Sequence, residues 1–218
     1  MDECLEGIVQ ESIDKKDHRT LGIKAYIDAR RRTSGVKVSV TTTELGFDIP
    51  DEVMAHPVIQ EILLAAVDLV AFSNVSDIHE KKDIAFANVI ALKDIFSYNL
   101  EQMRGDDLHN IVTCVMNEHH TDVNGAMLWV EDFLLGAAER FHAAMAALPT
   151  WEEPLNSQVK EYCDGLGQWV RGNENWSFEC ERYFGNKAFE IKQNRWMLLL
   201  PKKITTEIGP VHIDGSLL

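Results

Sequence analysis

Between Pro57 and Phe72, apolar residues fall at Val58, Ile59, Ile62, Leu63, Ala66, Val67 and Val70. A spacing of three to four positions puts these side chains on one face of a helix. Pro57 suits the first turn, where a missing N–H breaks no intrahelical bond. A second run, Met127 to Leu148, repeats the pattern through Val130, Phe133, Leu134, Ala137, Phe141 and Met145. No Asn-Gly turn separates alternating segments, and Asn124-Gly125 leads into a helix. Breaks are sparse: Gly35, Pro50-Asp51, Gly105-Asp106-Asp107, Pro149, Pro154 and Gly172-Asn173. There is no internal repeat and no low-complexity linker. The pattern predicts an all-α fold in a single domain.

At 218 residues the chain can bury one sizeable core. Its 45% hydrophobic and 26% charged content is that of a water-soluble globular protein. A net charge of -14 argues against nucleic acid and anionic membrane surfaces, which need a basic footprint. The acidic excess serves solubility, and some of its carboxylates are candidates for divalent metal. Cys4, Cys114, Cys163 and Cys180 form no C-x-x-C pair, and no signal peptide or membrane span is expected. A cytoplasmic location fits.

The chemistry concentrates around Asp94-Ile-Phe-Ser-Tyr-Asn-Leu-Glu101. Ser97 and Glu101 stand four apart, on one helical face. Lys93 precedes Asp94, while Asn74 ends Asp68-Leu-Val-Ala-Phe-Ser-Asn74. Removing Val75 to Lys93 joins Asn74 to Asp94 and gives Asn-Asp-x-x-Ser-x-x-x-Glu. Side-chain oxygens of Asn, Ser and Glu on one stripe suit hard Mg²⁺. The rejoined text resembles the magnesium-binding motif of class I terpene synthases.

Three further segments carry the resemblance to the fungal, basidiomycete-type sesquiterpene synthases of that class. Tyr26-Ile-Asp-Ala-Arg-Arg-Arg-Thr-Ser-Gly35 is similar to their diphosphate-sensing segment and aligns Arg31 with the sensor. A basic helix end favoured by the helix dipole is the plainer reading of the arginine triplet. Trp176-Ser-Phe-Glu-Cys-Glu-Arg-Tyr183 resembles the late Arg-Tyr motif, with Arg182 and Tyr183 at the positions that close over the diphosphate. Gln102 to Ile111 continues the magnesium motif as helix exit and re-entry, with Asp106 or Asp107 as the cap. Asp106-Asp107-x-x-Asn110 mimics an aspartate-rich motif but follows the second metal motif, so it is read as a decoy. The likeness runs from about Ile8 to about Lys202.

The resemblance implies a class I helical bundle and Mg²⁺-dependent ionisation of a prenyl diphosphate, farnesyl diphosphate first among them. It implies metal ligands Asn74, Ser97 and Glu101, and diphosphate contacts Arg31, Arg182 and Tyr183. No catalytic residue is assigned. Phe72, Phe96, Trp169 and Trp176 can present aromatic faces to a cation, although core packing is the expected job of each. His119 and His120 are expected to be solvated at a helix end.

Two departures temper this expectation. The family's aspartate-rich motif, upstream of the sensor, has no counterpart before Arg31, so the domain over residues 1–202 is expected to be a partial bundle with exposed apolar faces. Those faces allow an oligomer. The 19 residues Val75–Lys93 are expected to be an insert, either a retained intron or a genuine loop. In one unbroken helix Asn74 and Ser97 would stand about 34 Å apart. Residues 203–218 read as a poorly structured tail. Little cyclase turnover is therefore expected of the chain as it stands. The alternative is a non-catalytic remnant that binds diphosphate or another chain.

Overall fold

A computed structural model describes residues 2–17, 19–72, 93–194 and 198–203. Asn74, nearly all of the expected insert, and the tail from residue 204 lie outside the described residues. Among the described residues the secondary structure is helical, with no strand. The main helices are α1 (Asp2–Lys16), α2 (Ile23–Thr33), α3 (Val36–Val40), α4 (Asp51–Met54), α5 (Pro57–Phe72), α6 (Lys93–Arg104), α7 (Ile111–His119), α8 (Val123–Ala146), α9 (Leu155–Glu179), α10 (Glu181–Phe184) and α11 (Ala188–Asn194).

Helix α5 is the centre of the bundle. It packs most extensively on α8, then on α9, and also meets α2 and α6. Ile59, Ile62, Ala65, Ala66, Val67 and Phe72 have no solvent exposure. The expected stripe is thus widened by alanines, which let neighbouring helices close in on more than one side. Its start follows the sequence: Pro57 is the first helical residue, and the His56 ring accepts a hydrogen bond from the Val58 N–H at 3.2 Å. The Phe72 ring meets Phe133 of α8 edge-on at 5.5 Å. Trp129 stacks on Phe133 at 5.8 Å.

Helix ends follow local chemistry. Gly35 takes a left-handed φ of 72° between α2 and α3, the break expected there. Asp122 caps α8 by accepting from the Gly125 N–H at 2.9 Å. One expected break is absent: α9 runs straight through Gly172-Asn173. Burial of Val170, Glu174 and Ser177 on its inner face outweighs a mid-helix glycine, which costs only about 1 kcal/mol. Trp176 of the same helix is half-exposed, not packed in the core as expected.

Helix α1 departs from the usual arrangement. Gly7, Gln10 and Asp14 lie toward α2, and a Cβ on Gly7 would sit 2.6 Å from the Thr33 methyl. Leu5, Ile8, Val9 and Ile13 face outward and are 46–59% exposed.

Candidate functional site

The candidate metal motif enters the structure on α6. Ser97 and Glu101 occupy consecutive turns of it. Helix α6 packs against α5 as a separate helix and does not prolong it. The long separation expected of one unbroken helix therefore does not arise from the described parts. The side chains of Lys93 to Phe96 lie outside the described residues.

Glu101 is held by the turn that follows it. Gly105, at φ 74°, reverses the chain. The Asp106 N–H then returns to the Glu101 carbonyl at 2.9 Å, and the Gly105 N–H to that of Gln102 at 3.3 Å. Asn110 donates from Nδ2 to Glu101 Oε2 at 2.9 Å. The cap of α7 is this asparagine, whose Oδ1 accepts from the Val112 N–H at 2.9 Å. That corrects the expectation of Asp106 or Asp107. Asp106 is spent closing α6 through its backbone, and Asp107 Oδ2 instead accepts from the Thr113 hydroxyl at 3.2 Å.

The other face of α6 binds a distant stretch of chain. Asn99 Oδ1 accepts from the Leu200 N–H at 2.7 Å, and Gln102 Nε2 donates to the Leu200 carbonyl at 2.7 Å. The Lys203 N–H, first residue of the expected tail, donates to the Met103 carbonyl at 2.7 Å.

Tyr183 stands on α10, and its ring faces Trp176 edge-on at 6.3 Å. Arg182 is exposed, with its guanidinium carbon 5.5 Å from the Tyr183 ring centroid. Burial, above all, raises the Tyr183 phenol above its ordinary range. Arg182 and Arg30 pull it back, while Cys180 and Glu101 push the same way as burial. Three charged groups thus lie within electrostatic reach of Tyr183: Glu101 from α6, Arg182 from α10 and Arg30 from α2. Burial keeps the phenol protonated and able to donate a hydrogen bond.

Arg31 lies elsewhere. Its Nε and Nη2 each meet one carboxylate oxygen of Asp68 at 2.7 Å, and Nη1 is 3.6 Å from Asp28. Asp68, on α5, has no solvent exposure. Its Oδ2 also accepts from Arg140 Nη2 at 2.7 Å, and Arg140 Nη1 reaches Glu61 at 2.9 Å. The hydrogen bond to Asp68 chiefly holds the Arg31 pKa above its ordinary value. Of the sequence-derived set, the structure brings Glu101, Arg182 and Tyr183 together and commits Arg31 to the scaffold.

Arg30 and Asp68 were given no role by sequence, and Asn110 entered only as the end of the spacing read as a decoy. Asp68 had a signal: a lone carboxylate within an apolar helix must find cations when buried. Arg30 had only its place in the triplet. Residues in succession on a helix point about 100° apart, so one alignment step decides which arginine faces which neighbour.

Among the described residues no three His, Cys, Asp or Glu side chains gather as an ion would require. The candidate donors are instead a hydroxyl and a carboxylate one turn apart, Ser97 and Glu101, which fit a hard divalent cation. The third, Asn74, lies outside the described residues. No helix among the described residues is long and apolar enough to cross a membrane.

Comparison with known proteins bears on this arrangement. Residues 1–140 match the profile of terpene synthase family 2, C-terminal metal binding. A Delta(6)-protoilludene synthase of Armillaria gallica is 44% identical over 215 residues, 99% of this chain and 57% of that protein. One from Stereum hirsutum is 44% identical over 218 residues, 100% of this chain and 54% of its own length. The chain thus spans about half the length of the curated relatives it matches. Among solved structures, that of a-eudesmol synthase superposes with a TM-score of 0.64 at 21% identity, covering 82% of this chain and 53% of that one. That likeness bears out the all-α class I bundle. The chain belongs to the terpene synthase family, in the region that carries its C-terminal metal-binding segment.

Proposed function

We propose that this chain is part of a Mg²⁺-dependent sesquiterpene cyclase acting on farnesyl diphosphate. The observation that carries the reading is the packing of α10 on α6, which sets Tyr183 among groups of both signs. Glu101, suited to a cation, lies within electrostatic reach of Tyr183, as do Arg182 and Arg30, suited to an anion. A metal diphosphate needs both kinds of group side by side.

Mg²⁺, held by Ser97, Glu101 and Asn74, would neutralise charge on the diphosphate as it departs. Arg182 and Arg30 add positive charge at the same end, and a guanidinium offers paired N–H groups to phosphate oxygens. Tyr183 donates a hydrogen bond from its protonated phenol. Arg31 contributes indirectly: through Asp68 it fixes α2 and so sets where Arg30 points. At this end the rings of Trp176 and Phe184 both lie 6.3 Å from that of Tyr183.

The remnant reading has its own support. Lys93 stands before Asp94, where the motif asks for Asn, and an ammonium cannot coordinate a metal. Product analysis by gas chromatography separates the two. The chain, the chain without Val75–Lys93, and each fused behind the N-terminal portion of the Armillaria relative are incubated with farnesyl diphosphate and Mg²⁺, with and without chelator. Chelator-sensitive sesquiterpene from the fused chain without Val75–Lys93 is the expected result. Its absence from every protein, with diphosphate still bound in calorimetry, would favour the remnant.

A further inference from the structure

We infer that Asn110 is a positioning residue for the Glu101 carboxylate, setting the direction in which it meets a divalent cation. The inference rests on the metal reading of Ser97 and Glu101 given above.

Asn110 has no solvent exposure, and its amide is divided between two tasks. Oδ1 accepts from the Val112 N–H at 2.9 Å and caps α7. Nδ2 donates to Glu101 Oε2 at 2.9 Å. A glutamate has three side-chain torsions, and a carboxylate near a helix end would otherwise sample several directions. Here the turn grips Glu101 twice. Its carbonyl is held by the Asp106 N–H, and its carboxylate by Asn110. An N–H donor to one carboxylate oxygen favours the charged form and fixes the plane of the group.

The residue type follows from the double task. Serine can cap α7 but is too short to reach Glu101. Aspartate can cap it but would set an oxygen against an oxygen. An amide of this length presents an acceptor to one helix and a donor to the other. The same turn is tied to the arginine helix, because the Tyr26 hydroxyl donates to the His109 carbonyl at 3.0 Å. The carboxylate and the helix bearing Arg30 thereby share one small frame. The Asp106-Asp107-x-x-Asn110 spacing is thus the support of the metal-facing glutamate.

The test uses Mn²⁺ as the probe, its binding read by electron paramagnetic resonance with inorganic diphosphate present. Wild type, Glu101→Gln, Asn110→Ser and the double variant are compared, and each is melted in metal-free buffer. Asn110→Ser keeps the cap and removes the donor. It is expected to weaken Mn²⁺ binding about 10–100-fold, the usual effect of losing a group that orients a metal ligand. Its melting temperature should fall by only a few degrees, the loss of one hydrogen bond, and the double variant should bind no more weakly than Glu101→Gln. Wild-type affinity in Asn110→Ser beside weakened binding in Glu101→Gln would overturn the inference. Wild-type affinity in Glu101→Gln would overturn the metal reading, and the inference with it, by a different pattern. If Asn110→Ser does not fold, Asn110→Asp is judged by the same two criteria, since aspartate caps as well as asparagine.

Discussion

Helices α5 and α6 flank the same undescribed segment and pack on each other, yet they are placed by different forces. On α5 ten residues are buried, nine of them apolar, and the tenth, Asp68, is matched by two arginines. On α6 the buried side chains among those described are Tyr98, Asn99 and Gln102, and the two amides bond to Leu198 and Leu200. Burial is non-directional and tolerates many partners. Hydrogen bonds need a given donor at a given angle. Helix α5 is therefore a general scaffold, whereas α6 depends on particular residues far along the chain. The candidate metal groups sit on the second kind of helix.

The sharpest way to break the comparison is to open the scaffold. Phe72→Ala removes a ring with no exposure, set edge-on to Phe133, and should destabilise the fold by about 3–5 kcal/mol in urea unfolding. Asp68→Asn should cost less, about 2–3 kcal/mol. A broken buried pair is severe, but the Arg31 and Arg140 side chains, 22% and 38% exposed, keep some water. On α6 the effects should be smaller and local. Asn99→Ala or Gln102→Ala should cost about 1 kcal/mol each, close to the net worth of a hydrogen bond. Either change should raise hydrogen exchange around Leu198 to Lys203 without altering α5. A loss on α6 as large as that of Phe72→Ala, or exchange spreading into α5, would contradict this division.

The same division explains what the sequence made legible. The 3.6 period of α5 and α8 was plain because burial selects residue type at every inner position. Gly35 was readable as a helix boundary because its chemistry is local, whereas the Asp122 cap was seen only in the structure. The Asn99–Leu200 and Asn110–Glu101 bonds were not, since one side chain has many possible partners and sequence gives no distance. Asp106 and Asp107 were read as the cap because aspartate caps helices well, but asparagine does so equally. What decided the matter was which residue entered α7 with extended backbone. Ser97 and Glu101 were found as a motif, but the choice among Arg30, Arg31 and Arg32 turned on helical phase. Gly172 misled for the opposite reason: a local break signal was overridden by packing.

The pH profile should divide along the same line. His109 belongs to the turn beside α6, and burial, above all, lowers its pKa. Its neutral form is favoured in the fold, so its contribution is present above about pH 6.5 and is lost as pH falls below that. His109→Gln should flatten the acid limb of a urea-unfolding profile. On α9, which packs on α5, burial pushes the Cys163 thiol up to about 12. The unfolded chain loses that proton near its ordinary value of 9.0, so stability should fall as pH rises from there toward 12. Cys163→Ala should reduce the alkaline slope, although the cavity it leaves lowers stability throughout. Identical slopes in variant and parent would remove either assignment.

The smallest expected effect has the opposite sign and tests whether burial alone holds Tyr162 in the scaffold. Tyr162, on α9, has no solvent exposure, and its hydroxyl has no hydrogen-bond partner among the described residues. Burial raises its pKa, with Glu44 adding to the effect. A buried hydroxyl without a partner gives up hydration and gains nothing in return. Tyr162→Phe keeps the ring, its contacts and nearly its volume while deleting that group. Stability should rise by about 1 kcal/mol, the lower end of the desolvation penalty of an unsatisfied polar atom. The alkaline limb should also become shallower, because the unfolded chain then has one phenol fewer to ionise. On α6 the matching change, removal of a bonded amide, lowers stability. Opposite signs for removing a polar group at the two places would show that Tyr162 is held by apolar burial and not by a hydrogen bond. A loss of more than about 1 kcal/mol in Tyr162→Phe would mean that the hydroxyl has a partner and that directional bonds hold α9 as they hold Asp68.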